Sequence, residues 1–147
     1  MKNPEWTDRL VSKVLEIEHR TKCPKVIFRK GNGSGTAFYK FKRTKTHNGV
    51  WIRKMSWSHI TVRSYGNEKR DKMVLLHELA HVMGRVNTGH NLKFWERAWS
   101  YYEVFRSELD WEAVKKSEFW YMKKAKTAYE KLYPEVEPPL GQLSLAI

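Results

Sequence analysis

The chain has 147 residues, 41% of them hydrophobic and 14% aromatic, with a net charge of +12 and one cysteine, Cys23. That length and apolar content suit one domain with a real core, and a lone cysteine excludes an internal disulfide framework or a four-cysteine zinc ribbon. No apolar run approaches the ~20 residues of a membrane span, and Met1–Asp8 lacks the apolar core of a signal peptide, so the expected setting is the cytoplasm.

The charge is regional. Residues 1–72 carry 18 Lys/Arg against 6 Asp/Glu, whereas residues 73–147 carry 10 against 10. Between Glu18 and Glu68 there are twelve basic residues and no acidic one. One-sided positive charge is what a polyanion-binding face needs, so the basic N-terminal half points to DNA and a nucleoid-associated location. A solubilising surface is the plain alternative.

In chain order, Asn3-Pro4 reads as an N-cap followed by proline at the first helical position. Trp6, Leu10, Val11, Val14, Leu15 and Ile17 then keep a helical period to about His19. Val26-Ile27-Phe28 is a short strand, and Gly31-Asn32-Gly33-Ser34-Gly35 reads as a hairpin turn, since no Gly-Lys-Ser/Thr follows to make a phosphate cradle. Ala37, Tyr39 and Phe41 alternate with Phe38, Lys40 and Lys42, which predicts a strand with one charged side. His47-Asn48-Gly49 has hairpin-turn chemistry. Val50-Trp51-Ile52 and His59–Arg63 read as two more strands, the second a sheet edge able to hold an extended peptide by main-chain hydrogen bonds.

Asn67 is the expected N-cap of a central helix that Gly84 closes. A second helix carries Leu92, Trp95, Trp99, Tyr102 and Phe105 on one stripe. Ser107-x-x-Asp110 reads as a capping box for a third helix through Trp111, Val114, Tyr121, Ala125, Ala128 and Leu132, stopped by Pro134. The expected architecture is an α+β domain over residues 1–134: an N-terminal helix, a three- to four-stranded mostly antiparallel sheet, the central helix and two further C-terminal helices. Residues 135–147 form a Pro-bearing tail.

The central helix holds His77-Glu78-x-x-His81 inside the apolar run Val74–Gly84. Positions i and i+4 share one helix face, so both imidazoles can meet one metal ion. Glu78, about 100° round the helix, can reach a water on that ion. This is the pattern of a zinc hydrolase, most often a protease; a buried helix with two incidental histidines would leave Glu78 without a partner. Catalytic zinc takes three protein ligands. Asn87, at the position where a metzincin has its third histidine, is a poor ligand; His90, beyond a glycine-bearing turn, is the favoured third ligand, with Glu103 or Glu96 as substitutes. His19, His47 and His59 have surface or strand readings.

His77-Glu78-x-x-His81, a short loop, and Gly89-His90-x-x-x-Phe94-Trp95 resemble the SprT-like (Spartan-type) zinc metallopeptidases over roughly residues 5–105. Gly35-Thr36-Ala37 and Ile60-Thr61-Val62 are similar to that family's small sheet. The resemblance implies a zincin-like fold, Zn2+ on His77, His81 and His90, and Glu78 as the residue that takes a proton from the attacking water and passes it to the leaving amine. Asn91 departs from the glycine frequent there, and the zinc ribbon of some members is absent. Gln142-Leu143-Ser144-Leu145-Ala146-Ile147 resembles the bacterial sliding-clamp-binding motif, with Gln142 as polar anchor and Leu143, Leu145 and Ile147 as apolar ones. Together these imply a DNA-associated zinc metalloprotease of a bacterial or phage-infected cell that cuts DNA-bound or DNA-crosslinked proteins. The alternatives are a zinc-dependent ribonuclease, a protease aimed at a repressor or antitoxin, and a non-enzymatic DNA- or clamp-binding adaptor with structural zinc.

Overall fold

The first helix, α1 (Trp6–Ile17), forms over the expected period and buries Leu10 and Val14. Its start differs from expectation. Asn3 does not cap it: the Asn3 amide donates to the Val26 carbonyl and its oxygen accepts from the Phe28 N–H, so the side chain ties the N-terminus to the sheet instead. The computed structural model describes residues 1–86 and 88–135.

Three strands follow: β1 (Lys25–Lys30), β2 (Ser34–Lys45) and β3 (Trp51–Ser64). The sheet order is β1-β3-β2, with β1 parallel and β2 antiparallel to β3. The chain is therefore α+β with a mixed three-stranded sheet in which most paired positions are antiparallel. Two expectations are corrected here. The Gly31–Gly35 stretch is not a hairpin turn, because β1 and β2 are not neighbours. The chain crosses the end of β3, with the Gly31 and Gly33 N–H groups donating to the Ser64 and Arg63 carbonyls. Gly31 is needed there, since a Cβ would come within 2.5 Å of the Arg63 Cβ. The predicted strands at 50–52 and 59–63 are one continuous strand, β3, and it is central rather than an edge. The edges are β1, where Asn3 occupies the Val26 carbonyl and the Phe28 N–H, and β2, which lies against α2.

The turn at Thr46–Val50 joins β2 to β3 as expected, with Gly49 at φ +79° and a Thr46 N–H to Val50 carbonyl bond of 2.7 Å. Only His59–Ser64 of β3 pairs with β1. Residues 39–45 and 51–57 therefore run beyond the third strand as a two-stranded ribbon. After a register shift at Phe38/Tyr39, Tyr39, Phe41, Arg43 and Lys45 share one face with Trp57, Met55, Arg53 and Trp51, while Lys40, Lys42 and Lys54 lie on the other. The charge is thus on both faces, not on one.

Helix α2 (Glu68–Val82) starts at Asn67, whose side chain accepts from the Arg70 N–H at 3.0 Å, as expected. It is buried on nearly all sides, from Asp71 to Leu76 and from Glu78 to Ala80. Helix α3 (Leu92–Val104) is capped by Asn91 and buries Trp95, Trp99 and Tyr102, while Leu92 is exposed. A short 3₁₀ turn, Arg106–Glu108, absorbs Ser107, so the cap of α4 (Trp111–Tyr121) is Asp110 alone. The expected third helix is two: Met122 takes extended dihedrals and α5 (Lys123–Leu132) follows. That break lets α5 bury Ala125 and Ala128 beside α3, with the Trp99 indole donating to the Ala125 carbonyl at 3.0 Å. It also frees α4 to carry Glu118 inward and Tyr121, half exposed, out of the core. No described helix is long and apolar enough to cross a membrane.

Candidate metal centre

His77 and His81 project from adjacent turns of α2, and His90 stands just before the Asn91 cap of α3. Their Nε2 atoms converge: His90 Nε2 lies 3.1 Å from that of His77 and 3.0 Å from that of His81. Three imidazole nitrogens crowded this closely cannot all satisfy one another by hydrogen bonding, since a neutral imidazole has one donor and one acceptor. One cation shared by three lone pairs resolves the crowding. The three histidines are close enough to hold a metal ion.

The electrostatics suit that role. Burial, reinforced by the neighbouring imidazoles, pushes His81 down to about 3, and burial with the charge of His77 pushes His90 down to about 4. Both are neutral at neutral pH and offer lone pairs. His77 differs: burial lowers its basicity, but the charge and hydrogen bond of Glu118 outweigh this and raise it overall. Glu118 Oε2 sits 2.9 Å from His77 Nδ1 and accepts from the Tyr102 hydroxyl at 2.8 Å. A carboxylate there holds the proton on Nδ1 and leaves the Nε2 lone pair open to a metal, the usual support of a ligating histidine. The rings are clamped by aromatic neighbours, with Phe94 stacked on His81 at 4.2 Å and Trp95 on His90 at 5.6 Å.

Glu78 lies beside the triad, 6% exposed, and burial raises its carboxyl above the ordinary carboxylate range, opposed by the charge of His77 and a hydrogen bond from the Ala37 backbone. Edge strand β2 approaches this side chain closely. A Cβ on Gly35 would come within 2.6 Å of Val74 Cγ1 and 2.8 Å of Glu78 Cγ, so glycine is what lets the strand lie against the helix. The resulting cleft, about 580 Å³, has Gly35–Ala37, Tyr39 and Trp57 along one wall, the histidines and Glu78 on its floor, and Trp120 and Tyr121 of α4 opposite. That size is ordinary for a ligand site.

The residues singled out by sequence thus separate cleanly. His77, Glu78, His81 and His90 come together. Glu103 is exposed and engaged with Arg106 and the Tyr133 hydroxyl, and Glu96 with Lys131, so neither substitutes for His90. His59 is occupied by Ser58 and stacks on Phe38, and His19 and His47 are exposed. Asn87 and the tail residues Gln142, Leu143, Leu145 and Ile147 lie outside the described residues. Sequence reasoning missed Glu118, Tyr102 and the rim position of Tyr121. A glutamate 41 residues from its histidine has no spacing signature; the one usable signal was an acidic residue on the apolar side of the predicted third helix. Comparison of the chain with protein-family models, curated proteins and solved structures found no match.

Proposed function

We propose that this protein is a zinc-dependent peptidase of the SprT-like kind, acting on proteins associated with DNA. The observation that carries the reading is the convergence of three imidazole Nε2 atoms beside a buried glutamate, at the floor of a cleft walled by a sheet edge. Zinc on His77, His81 and His90 would supply Lewis acidity toward a scissile carbonyl and would acidify a water to a pKa of about 7. Glu78, its basicity raised by burial, takes the proton of the attacking water and returns it to the leaving amine. Glu118 and Tyr102 fix the His77 ring during this exchange. The edge of β2 that borders the cleft would offer the main-chain groups of Ser34–Phe38 not already given to Glu78 to an extended peptide, so the strand that would hold substrate is β2 rather than the central β3.

A catalytic site keeps one coordination position open, whereas a structural site is closed by four protein ligands. Among the described residues no fourth side chain joins the three histidines, which favours the enzyme over an adaptor with structural zinc. The glutamate within the motif favours peptide hydrolysis over ribonuclease chemistry. The basic N-terminal half would bring the peptidase to DNA, and the C-terminal peptide would tether it to a sliding clamp, raising its local concentration without a cleavage-sequence requirement.

The test is incubation of zinc-loaded protein with DNA-bound and free protein substrates, with Glu78→Gln alongside. Hydrolysis should fall about 10²–10⁴-fold in the variant while bound zinc is retained. Full activity in Glu78→Gln would refute the assignment.

A further inference from the structure

The β2–β3 ribbon has no structural task that explains its composition. Its seven residue pairs, Tyr39/Trp57 to Lys45/Trp51, extend roughly 23 Å at about 3.3 Å per residue. Phe41 is 52% exposed and Trp51 55%, far from the burial that aromatic side chains normally reach in a fold. Two successive cross-strand pairs set like charges opposite each other, Lys42/Lys54 and Arg43/Arg53, an arrangement that destabilises a sheet. Among the described residues no carboxylate forms a salt bridge with any of the four, and the chain has no acidic residue between Glu18 and Glu68. A polyanion is the missing complement.

The order of side chains narrows the partner further. On one face, cations and rings interleave: Arg53 lies over the Phe41 ring at 4.1 Å, Arg43 over Trp51 at 5.0 Å and Lys45 over Trp51 at 5.8 Å. Guanidinium planes and flat rings both offer stacking surfaces, and the rings carry almost nothing to read base edges, Phe41 having no hydrogen-bonding group and Trp51 a single donor. A duplex hides its base faces in the stack, whereas an unpaired strand presents them. An acidic peptide would be served by the cations but has no use for the rings.

We infer that this face is a platform for single-stranded nucleic acid, with bases stacking on Phe41 and Trp51 and phosphates met by Arg43, Lys45 and Arg53. The inference rests on the proposal above that the polyanion is nucleic acid, and it names the strand form and the place. The same face continues through Tyr39 into the cleft of the metal centre, so a strand held on the ribbon lies at the mouth of that site.

Binding of a labelled oligothymidylate to the full-length, zinc-loaded protein is followed by fluorescence anisotropy over a salt series, against an oligothymidylate–oligoadenylate duplex and polyglutamate. The oligothymidylate should bind more tightly than either. The double variant Phe41→Ala/Trp51→Ala should weaken it by tenfold or more at an unchanged salt slope, stacking being worth about five- to hundredfold per base. Arg43→Gln/Arg53→Gln should weaken it and reduce the slope, by about 0.7 for each phosphate no longer neutralised. Phe41→Leu/Trp51→Leu keeps apolar bulk without the ring faces and should lose the same tenfold or more, which separates loss of stacking from loss of fold. Unchanged affinity in the leucine variant, or duplex or polyglutamate binding as tightly as the single strand, overturns the platform. The assay reads binding alone: a protein that binds duplex without using the rings keeps the DNA proposal and loses this one, and an active peptidase that ignores the oligonucleotide loses both while its hydrolytic reading stands.

Discussion

The two ends of the β2–β3 hairpin are made of the same strands and obey different rules. At the core end, Ile60 and Val62 are fully buried, Phe28 packs beside them on β1, and β2 presses on α2 at Gly35. There the strand cation has partners: Arg63 of β3 donates to the Ser34 and Thr36 hydroxyls of β2. At the outer end the rings are exposed, like charges stand opposite each other, and no salt bridge forms among the described residues. The core end is accounted for by folding. Folding does not account for the exposed rings and opposed like charges of the outer end, and the proposed nucleic-acid platform would, which is why one half of a single hairpin is read as scaffold and the other as a binding face.

Three perturbations sharpen that contrast. The largest concerns the aromatic side chains. Trp99 is fully buried and donates to the Ala125 carbonyl, so Trp99→Ala should cost about 3–5 kcal/mol in chemical denaturation, whereas Trp51→Ala should stay within about 0.5 kcal/mol. Comparable losses at both positions would mean that the ribbon is part of the core. The next concerns charge. Lys54→Glu turns a like pair with Lys42 into an opposite one and should stabilise the protein by about 0.2–1 kcal/mol, while weakening polyanion binding. A destabilised variant would show that the repulsion is already relieved within the fold.

The smallest is a pH effect in the helical scaffold, where cations are paired as those of the ribbon are not: Glu108 receives Arg9 and Lys72. Hydrogen bonding to Arg9, helped by Lys72, holds the Glu108 carboxyl down at about 2, below its ordinary 4.5. The folded protein therefore binds fewer protons there than the unfolded chain. The contribution of Glu108 is complete above about pH 4.5 and is lost as the pH falls toward about 2. In urea melts, the advantage of the wild type over Glu108→Gln should shrink across that interval; an advantage that holds steady to pH 2 would show that the carboxylate's charge contributes nothing.

What could be read from the sequence was local. The 3.6-residue period, the Asn67 cap and the i, i+4 histidines are set within α2 itself, and His90 follows because a short glycine-bearing turn has few ways to fold back. The α+β class came from the same periodicities. What escaped was set by tertiary packing. Between Trp51-Ile52 and His59 the apolar pattern weakens and Ser56 and Ser58 carry some turn preference, so that β3 reads locally as two strands. The parallel pairing of β1 with β3 depends on the loop at Gly31–Gly33 crossing the end of β3, which no local propensity encodes. The break at Met122 has neither glycine nor proline; what accompanies it is the seating of Glu118 against His77 and of Ala125 and Ala128 in the core.

The central claim is that His77, His81 and His90 hold one ion, with Glu118 supporting His77. Metal titration followed by elemental analysis tests it most directly. The wild type should take up one zinc per chain, Glu118→Gln should bind it about 10–100-fold more weakly, His90→Gln should lose stoichiometric binding, and Glu103→Gln should match the wild type. A His90→Gln protein that holds zinc as tightly as the wild type would contradict the assignment.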